Sequence, residues 1–256
     1  MTPEELYRYD VNGYILIEDV IEPDYLCRLN EQLDEWEEVA KQRLEREQPQ
    51  NPAILIEDIL NQEQALLDLV VNPRVLPYID AMVATARLKS TWATFKWEGG
   101  HTGFHSNHTP SRTCNFYHFN GRIHHNLFQV FYAMKDIGPG EGALEVVPGS
   151  HKANYPLPSN GASDNMKCTI PMKAGSVLLF THDMHHGSFN ASDKVRRTII
   201  FTFCPGEISN SFVGDGLYDR LFEQAPANSW LKYVLRRPHG CQDTYPRPEG
   251  RPYGEG

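Results

Sequence analysis

A histidine- and arginine-rich connection between two strongly apolar segments most constrains how this chain can fold. The segments, Val177–Phe180 and Thr198–Phe203, are rich in β-branched and aromatic residues, which is typical of buried strands. A histidine at the end of one core strand and an arginine at the start of the next can face the same cavity. The stretch therefore predicts a metal ion and an anion held side by side. Its candidate residues are His182, His185, His186, Arg196 and Arg197.

The rest of the chain changes from helical to extended patterns near residue 88. Apolar residues at three- and four-residue spacing, and their capping signals, predict helices over 3–9, 26–47, 66–71, 75–85 and 224–235. Short apolar or alternating runs predict further strands over 14–17, 92–97, 127–134, 143–147 and 168–172. Polar, aromatic and histidine-rich segments predict loops around a site, over 101–122 and 152–167.

Helices followed by closely spaced short strands favour a mainly β fold with flanking α-helices, a sandwich or jelly roll. No linker-like segment divides the chain, so we expect one domain over 1–256. Its parts would be a helical region over about 1–87, a jelly-roll core over about 88–205 and an irregular region over 206–256.

Charge and cysteine usage narrow the range of partners. A net charge of −9 disfavours a nucleic-acid or anionic-membrane surface, because both need a basic face. Any bound anion must therefore be held by local arginines and lysines. The five cysteines are scattered, the chain starts without a signal-like segment, and no apolar run approaches membrane-spanning length. We expect a cytoplasmic protein that acts on a small molecule.

The metal-ligand pattern points to a mononuclear iron site. Such a site takes two histidines and one carboxylate on one face of the metal and leaves positions for other ligands. His186 is preferred as the isolated histidine over His182 and His185, because it directly precedes the turn after its strand. His185 would point to the opposite face, because side chains alternate along a strand. His105-Ser106-Asn107 has the spacing of the paired motif, with an amide where the carboxylate is expected.

Arg196 is the candidate for the anion. Its planar guanidinium can pair with a carboxylate through two parallel hydrogen bonds. It follows His186 by ten residues, across one turn, so the two residues are expected on neighbouring strands of one sheet. Ser188 could donate a second hydrogen bond to the same carboxylate. His151, in Pro-Gly-Ser-His, is expected to support a tight turn through a local hydrogen bond.

Three segments, in order, resemble the phytanoyl-CoA dioxygenase family of Fe(II)- and 2-oxoglutarate-dependent oxygenases. They are Tyr-Asp-Val-Asn-Gly-Tyr-Ile-Leu-Ile from residue 9, Gln129 to Asp136 with Gly142 to Lys152, and His186 to Arg196. The resemblance implies a double-stranded β-helix, that is, a cupin-like jelly roll. It also implies Fe(II) at His105 and His186, and 2-oxoglutarate at Arg196 and Ser188 with Gln129 lining the pocket. O2 and a small-molecule substrate would complete the reaction.

Asn107 departs from the family pattern, in which His-x-Asp supplies the third ligand. Three alternatives follow: Asn107 binds the metal weakly, a remote carboxylate such as Glu141 or Asp183 replaces it, or the iron chemistry is weakened or lost. In related halogenases a Gly or Ala at this position leaves room for chloride, and Asn is larger than either.

The leading hypothesis is an Fe(II)- and 2-oxoglutarate-dependent oxygenase that hydroxylates or otherwise oxidises a small molecule. One alternative is a jelly-roll binding protein without productive iron. Another is an oxygenase-like halogenase, or a cupin with an atypical metal set drawn from His105, His108 and His186.

Overall fold

The protein is analysed as a computed structural model. The described residues are 1–83, 85–106, 116–119, 122–155, 157–158, 164–208, 216–238 and 248. Their strands are β1 (Tyr14–Ile17), β2 (Ala53–Glu57), β3 (Ala86–Lys96), β4 (His101–His105), β5 (Phe116–Phe119), β6 (Arg122–His125), β7 (Phe128–Ala133), β8 (Glu141–Val146), β9 (Cys168–Ile170), β10 (Val177–Thr181), β11 (His186–Asn190) and β12 (Arg196–Pro205). Their α-helices are α1 (Pro3–Asn12), α2 (Pro23–Glu47), α3 (Ile59–Gln62), α4 (Leu67–Val70), α5 (Leu76–Met82), α6 (Asp219–Gln224) and α7 (Trp230–Leu235).

Two antiparallel sheets form the body of the fold. The six-stranded sheet has the order β1-β10-β7-β12-β3-β2, and the four-stranded sheet has the order β4-β11-β8-β9. A cluster of buried residues contributed by both sheets, including Ala133, Leu144, Val146, Leu178 and Phe180, fills the space between them. Two facing sheets with an apolar interior are the architecture of a jelly roll. The predicted fold class is therefore confirmed.

The second, larger core lies between the six-stranded sheet and the helices. Leu29, Leu33 and Trp36 of α2 are buried against residues of β7 and β12 such as Val130 and Phe201. These α2 residues recur at three- and four-residue spacing, so the buried stripe is the one that the sequence pattern predicts. None of the described helices combines the length and the apolar character needed to cross a membrane.

The predicted strands are confirmed, and two strands come from the mainly helical first third of the chain. β1 pairs with β10, and β2 pairs with β3, so the N-terminal region supplies both outer strands of the six-stranded sheet. β2 was not predicted, because it follows a polar segment and only Ile54 of its five residues is buried.

Three predictions of local structure are wrong. His186 does not end a strand before a turn but begins strand β11, which continues to Asn190. The segment 101–122, expected as loop, contains β4, β5 and the start of β6. β4 has no apolar run and is mostly exposed or half-buried, so its strand conformation depends on pairing with β11. The helix expected over 224–235 is confined to α7 at 230–235, because α6 already ends at Gln224 and Pro226 lies in the break between the two helices.

Candidate functional site

His105 and His186 lie directly opposite each other on the paired strands β4 and β11. Their imidazole ring centroids are 4.3 Å apart. The pairing joins residues that are distant in the sequence, and it brings together the two histidines that the sequence analysis selected as metal ligands.

Backbone carbonyls orient both of these rings. The Nδ1 atom of His105 is 2.7 Å from the carbonyl oxygen of Gly103, and the Nδ1 atom of His186 is 2.6 Å from that of Met184. A carbonyl oxygen can only accept, so each Nδ1 carries the proton and each Nε2 keeps a free lone pair. Burial, and then the nearby rings of His182 and His105, hold the pKa of His186 well below its usual range. The neutral imidazole that a metal requires is therefore favoured.

His182 joins this pair, although the sequence analysis preferred His186 to it. One ligand atom from each of His105, His182 and His186 lies within 4.8 Å of the others, close enough to bind one metal ion. The ring centroid of His182 is 5.0 Å from that of His186 and 5.5 Å from that of His105. The four-residue separation of His182 and His186 does not predict this contact, because His182 directly follows β10 in the other sheet.

His185 points away from the cluster, as expected, but strand alternation is not the reason, because residues 182–185 lie between β10 and β11 and belong to neither strand. Its ring stacks on Phe104 with centroids 6.4 Å apart, and its Nε2 atom is 3.4 Å from the Ser106 hydroxyl. The other two proximal candidates, Asn107 and His108, lie outside the described residues.

The two remote carboxylates proposed as substitutes have other partners. Asp183 is buried, and its Oδ2 atom is 2.6 Å from Nδ1 of His125. Glu141 forms an ion pair with Lys194 and accepts a hydrogen bond from the backbone N–H of Gly138. Neither carboxylate belongs to the histidine cluster among the described residues, so the alternative in which one of them replaces the aspartate has no support there.

A pocket for an anion adjoins the histidines. Lys96 on β3 lies opposite Arg196 on β12, and Thr102 on β4 lies opposite Ser188 on β11. The two pairs belong to different sheets and meet across the interior. The Lys96 ammonium donates to the Ser188 hydroxyl at 2.6 Å and also to the Thr102 hydroxyl. The Arg196 Nη1 atom is 3.4 Å from the Ser188 hydroxyl.

The charges in this pocket are not balanced by an acid. Lys96 and Arg196 are only 4% and 5% exposed, and no Asp or Glu is among the described residues that line the cavity of about 210 Å³. The Nε atom of Arg196 is buried and has no hydrogen-bond partner among the described residues. Burial, and then repulsion by Arg196, lowers the pKa of Lys96 to about 6, and burial lowers that of Arg196 to about 10. Burial therefore disfavours the charged forms of both side chains in the empty pocket, and a carboxylate bound beside them would favour those forms.

His186 and Arg196 do not lie on neighbouring strands of one sheet, so that expectation is wrong. β11 belongs to the four-stranded sheet and β12 to the six-stranded sheet. The turn between them crosses from one sheet to the other, and the two side chains meet because the sheets face each other. Gly142, at φ +82°, makes room for this arrangement, because a Cβ atom there would lie 2.8 Å from Cδ of Arg196.

Gln129 and His151 take different roles. Gln129 on β7 lines the same cavity and accepts a hydrogen bond from the Thr202 hydroxyl at 3.0 Å. His151 was expected to form a local hydrogen bond within its turn, and this expectation is wrong. Its Nε2 atom is 3.0 Å from the carbonyl oxygen of Asp10 and so connects its turn to α1.

Lys96 is the residue of this site that the sequence analysis missed. It ends a strand 92 residues before Ser188, and nothing around it in the sequence distinguishes it from a surface lysine. One signal in the sequence pointed toward such a residue. Because the net charge is −9, any bound anion must be held by arginines and lysines close to it in the structure.

Comparisons with known structures show the same fold. HygX from Streptomyces hygroscopicus, solved with nickel, 2-oxoglutarate and hygromycin B bound, has a TM-score of 0.67 at 18% identity, over 82% of this chain and 90% of that one. SnoK, a non-heme alpha ketoglutarate dependent carbocyclase from nogalamycin biosynthesis, has a TM-score of 0.62 at 17% identity, over 86% and 90%. The epimerase SnoN, from the same biosynthesis, has a TM-score of 0.59 at 16% identity, over 80% and 83%.

Comparison of the sequence with functionally curated proteins finds no match. The sequence model of the phytanoyl-CoA dioxygenase (PhyH) family matches residues 9–198, a range that includes the paired histidines, the anion pocket and most strands of both sheets. This chain belongs to the phytanoyl-CoA dioxygenase family of non-haem iron and 2-oxoglutarate-dependent enzymes.

Proposed function

We propose that this enzyme hydroxylates or otherwise oxidises a small organic molecule, with Fe(II) held by His105 and His186 and 2-oxoglutarate held beside it. The observation that carries the proposal is the acid-free pocket of Lys96 and Arg196 next to the imidazole cluster. A dication and a dicarboxylate are the two groups that such a pair of neighbouring sites would take.

The donor set fits the metal. His105 and His186 would each present Nε2, because their Nδ1 atoms donate to the carbonyls of Gly103 and Met184. These hydrogen bonds fix the ring orientation and make each imidazole a better ligand. When bound, iron supplies the activation of O2 at the expense of 2-oxoglutarate.

The anion pocket fits the far carboxylate of 2-oxoglutarate. Arg196 would donate to this carboxylate from its guanidinium, including the Nε atom that has no described partner. Ser188 and Lys96 would donate from the facing sides of the two sheets. Gln129 would line the pocket. With both ends of the co-substrate held in this buried cavity, the protein would orient it and exclude water.

The cavity is too small to hold a large substrate in addition to 2-oxoglutarate, at about 210 Å³. The substrate would therefore approach from the mouth of the cavity. The substrate class is proposed from the polar and aromatic composition of segments 101–122 and 152–167, which suits a small molecule of polar or mixed character. One HygX structure holds hygromycin B and one SnoN structure holds nogalamycin RO, which supports this class.

A non-catalytic binding protein is the second candidate. The observation that favours it is the lack of a carboxylate beside the described histidines. Such a protein would bind 2-oxoglutarate without consuming it.

Succinate release from 2-oxoglutarate distinguishes the two. We expect purified protein with Fe(II) to form succinate in air and none under anaerobic conditions, with a rate that rises when a suitable substrate from a small-molecule panel is added. The Arg196→Ala variant should lose this activity at low 2-oxoglutarate concentration. Tight 2-oxoglutarate binding without any succinate, with Fe(II), O2 and the panel present, would favour the binding protein.

We also propose a single domain and a cytoplasmic location. Support for the first is that β1 and β2 of the N-terminal region pair into the same sheet as β3, β7, β10 and β12. Support for the second is that Cys27, Cys168 and Cys204, the cysteines among the described residues, are all unpaired, as is typical of a reducing compartment.

A further inference from the structure

His182 lies where a third protein ligand of the metal would be expected. It lines the same cavity as His105 and His186, and one ligand atom from each of the three residues lies within 4.8 Å of the others. We propose that His182 is the third protein ligand, in place of a carboxylate, so that the metal is held by three neutral imidazoles. This inference rests on the proposed function, because it concerns the same iron site.

The backbone around His182 explains why a histidine, and not the adjacent aspartate, reaches the metal. The backbone N–H of His182 donates to the carbonyl of Leu127 at 3.0 Å, which anchors the chain just after β10. From this anchor His182 faces the cavity, whereas Asp183 pairs with His125. One oxygen of the Asp183 carboxylate is therefore paired with His125, and the other is buried without a described hydrogen-bond partner and does not belong to the histidine cluster.

Three neutral ligands change the charge of the site. A conventional triad supplies one negative charge to the metal, whereas three imidazoles supply none. The cavity also contains Lys96 and Arg196 and no acidic residue among its described lining. Bound 2-oxoglutarate would then supply all the negative charge near the metal. Metal and 2-oxoglutarate should therefore each strengthen the binding of the other, and thermodynamic linkage requires that the two effects be equal.

The same ligand set argues against halogenation. Three protein ligands leave three positions on a six-coordinate metal. A chelating 2-oxo acid needs two of these positions and O2 needs the last, so no position is left for a halide ion.

Metal affinity tests the assignment without relying on turnover. Anaerobic calorimetric titration with Co(II), a stand-in for Fe(II), would compare the unmodified protein with His182→Ala and His185→Ala. His185 is the matched control, because it belongs to the same segment but stacks on Phe104 outside the cluster. We expect His182→Ala to weaken Co(II) binding at least about tenfold. Loss of a residue that only hydrogen-bonds to a metal ligand already lowers metal affinity about 10- to 100-fold, and loss of a ligand itself should cost no less. We expect His185→Ala to leave Co(II) binding within about twofold, and equal affinity in the two variants would overturn the assignment.

A second measurement needs no variant and so covers the case in which His182→Ala does not fold. Each imidazole bound to Co(II) through Nε2 gives one strongly shifted, solvent-exchangeable N–H signal in the paramagnetic proton NMR spectrum. Three such signals from the Co(II)-loaded protein support the inference, and two overturn it. Addition of 2-oxoglutarate should strengthen Co(II) binding at least about tenfold in the unmodified protein, in line with ordinary coupling energies.

The proposed function can fail separately. Three imidazole signals without succinate formation would contradict the proposed oxygenase activity but support the assignment of His182 as a metal ligand. Succinate formation, together with only two imidazole signals and unchanged Co(II) binding in His182→Ala, would support the oxygenase activity and contradict the assignment of His182 as a metal ligand.

Discussion

Lys96 and Arg196 lie opposite each other on β3 and β12, both almost fully buried and both facing a cavity without a described acidic residue. Burial, and then repulsion by Arg196, lowers the pKa of Lys96 to about 6, so it is unfavourable to keep both groups charged in the ligand-free protein. A dicarboxylate removes the repulsion when it binds. Under the proposed function, the pair would lower the stability of the empty protein and raise its affinity for 2-oxoglutarate.

Replacement of Arg196 by Ala should weaken 2-oxoglutarate binding by more than about tenfold, because charge-assisted hydrogen bonds to a buried carboxylate are lost. Calorimetric titration with 2-oxoglutarate in the presence of Co(II) would measure this. Lys194→Ala is the control, because it removes an exposed cation two residues away that pairs with Glu141. Unchanged affinity in Arg196→Ala would show that the anchor lies elsewhere.

Replacement of Lys96 by Met should raise the melting temperature of the ligand-free protein and weaken 2-oxoglutarate binding. The folded-state pKa of Lys96, about 6, lies below the ordinary value of 10.5. Between these two pH values Lys96 is protonated in the unfolded chain but neutral in the folded protein. The loss of unfolding free energy caused by Lys96 is therefore largest below about pH 6 and declines as the pH rises. The advantage of Lys96→Met should therefore shrink between pH 6 and 10.

Thermal unfolding over this pH range, with and without 2-oxoglutarate, measures both effects. An advantage for Lys96→Met that grows with pH would contradict the assigned direction of the pKa shift.

Replacement of Gly142 by Ala should displace Arg196 and weaken 2-oxoglutarate binding, because the new Cβ would lie 2.8 Å from Cδ of Arg196. Gly140→Ala is the matched control, since Gly140 has a similar φ of +78° but no heavy atom near the added Cβ. Both variants should lose about 1 kcal/mol of unfolding free energy from the backbone conformation. Only Gly142→Ala should also lose affinity for 2-oxoglutarate. Equal affinities in the two variants would show that Gly142 does not help to position Arg196.

Replacement of Arg197 by Ala should destabilise the fold without changing the anion pocket. Arg197 faces away from Arg196 and donates to Asp34 and Glu37 of α2, at 2.7 and 2.5 Å. We expect a loss of about 1.5–3 kcal/mol in urea unfolding, since these are hydrogen bonds between charged groups and Arg197 is buried.

Arg43→Ala is the control for this loss. It breaks only a solvent-exposed pair with Glu47 on the same helix, and it should cost less than about 1 kcal/mol. A similar small loss in Arg197→Ala would mean that the contact with α2 contributes little to stability.

The sequence alone determined the strands that contain apolar runs, and the residues whose chemistry is marked by their neighbours. His186, Ser188 and Arg196 are close together in the chain, and the apolar runs around them predict the two core strands that the structure contains. His105 could be selected because its motif spacing is local as well. Information of this kind is carried by periodicity and short motifs, which do not depend on distant parts of the chain.

The tertiary structure alone decided which distant residues complete the site. Lys96 reaches Ser188, and His182 reaches His105, only because the two sheets face each other and β4 pairs with β11 in one register. A shift of one residue in the pairing of β4 with β11 would turn His105 to the other face of the sheet. Register and sheet packing arise from the sum of many contacts in both cores, so no short segment of the sequence encodes them.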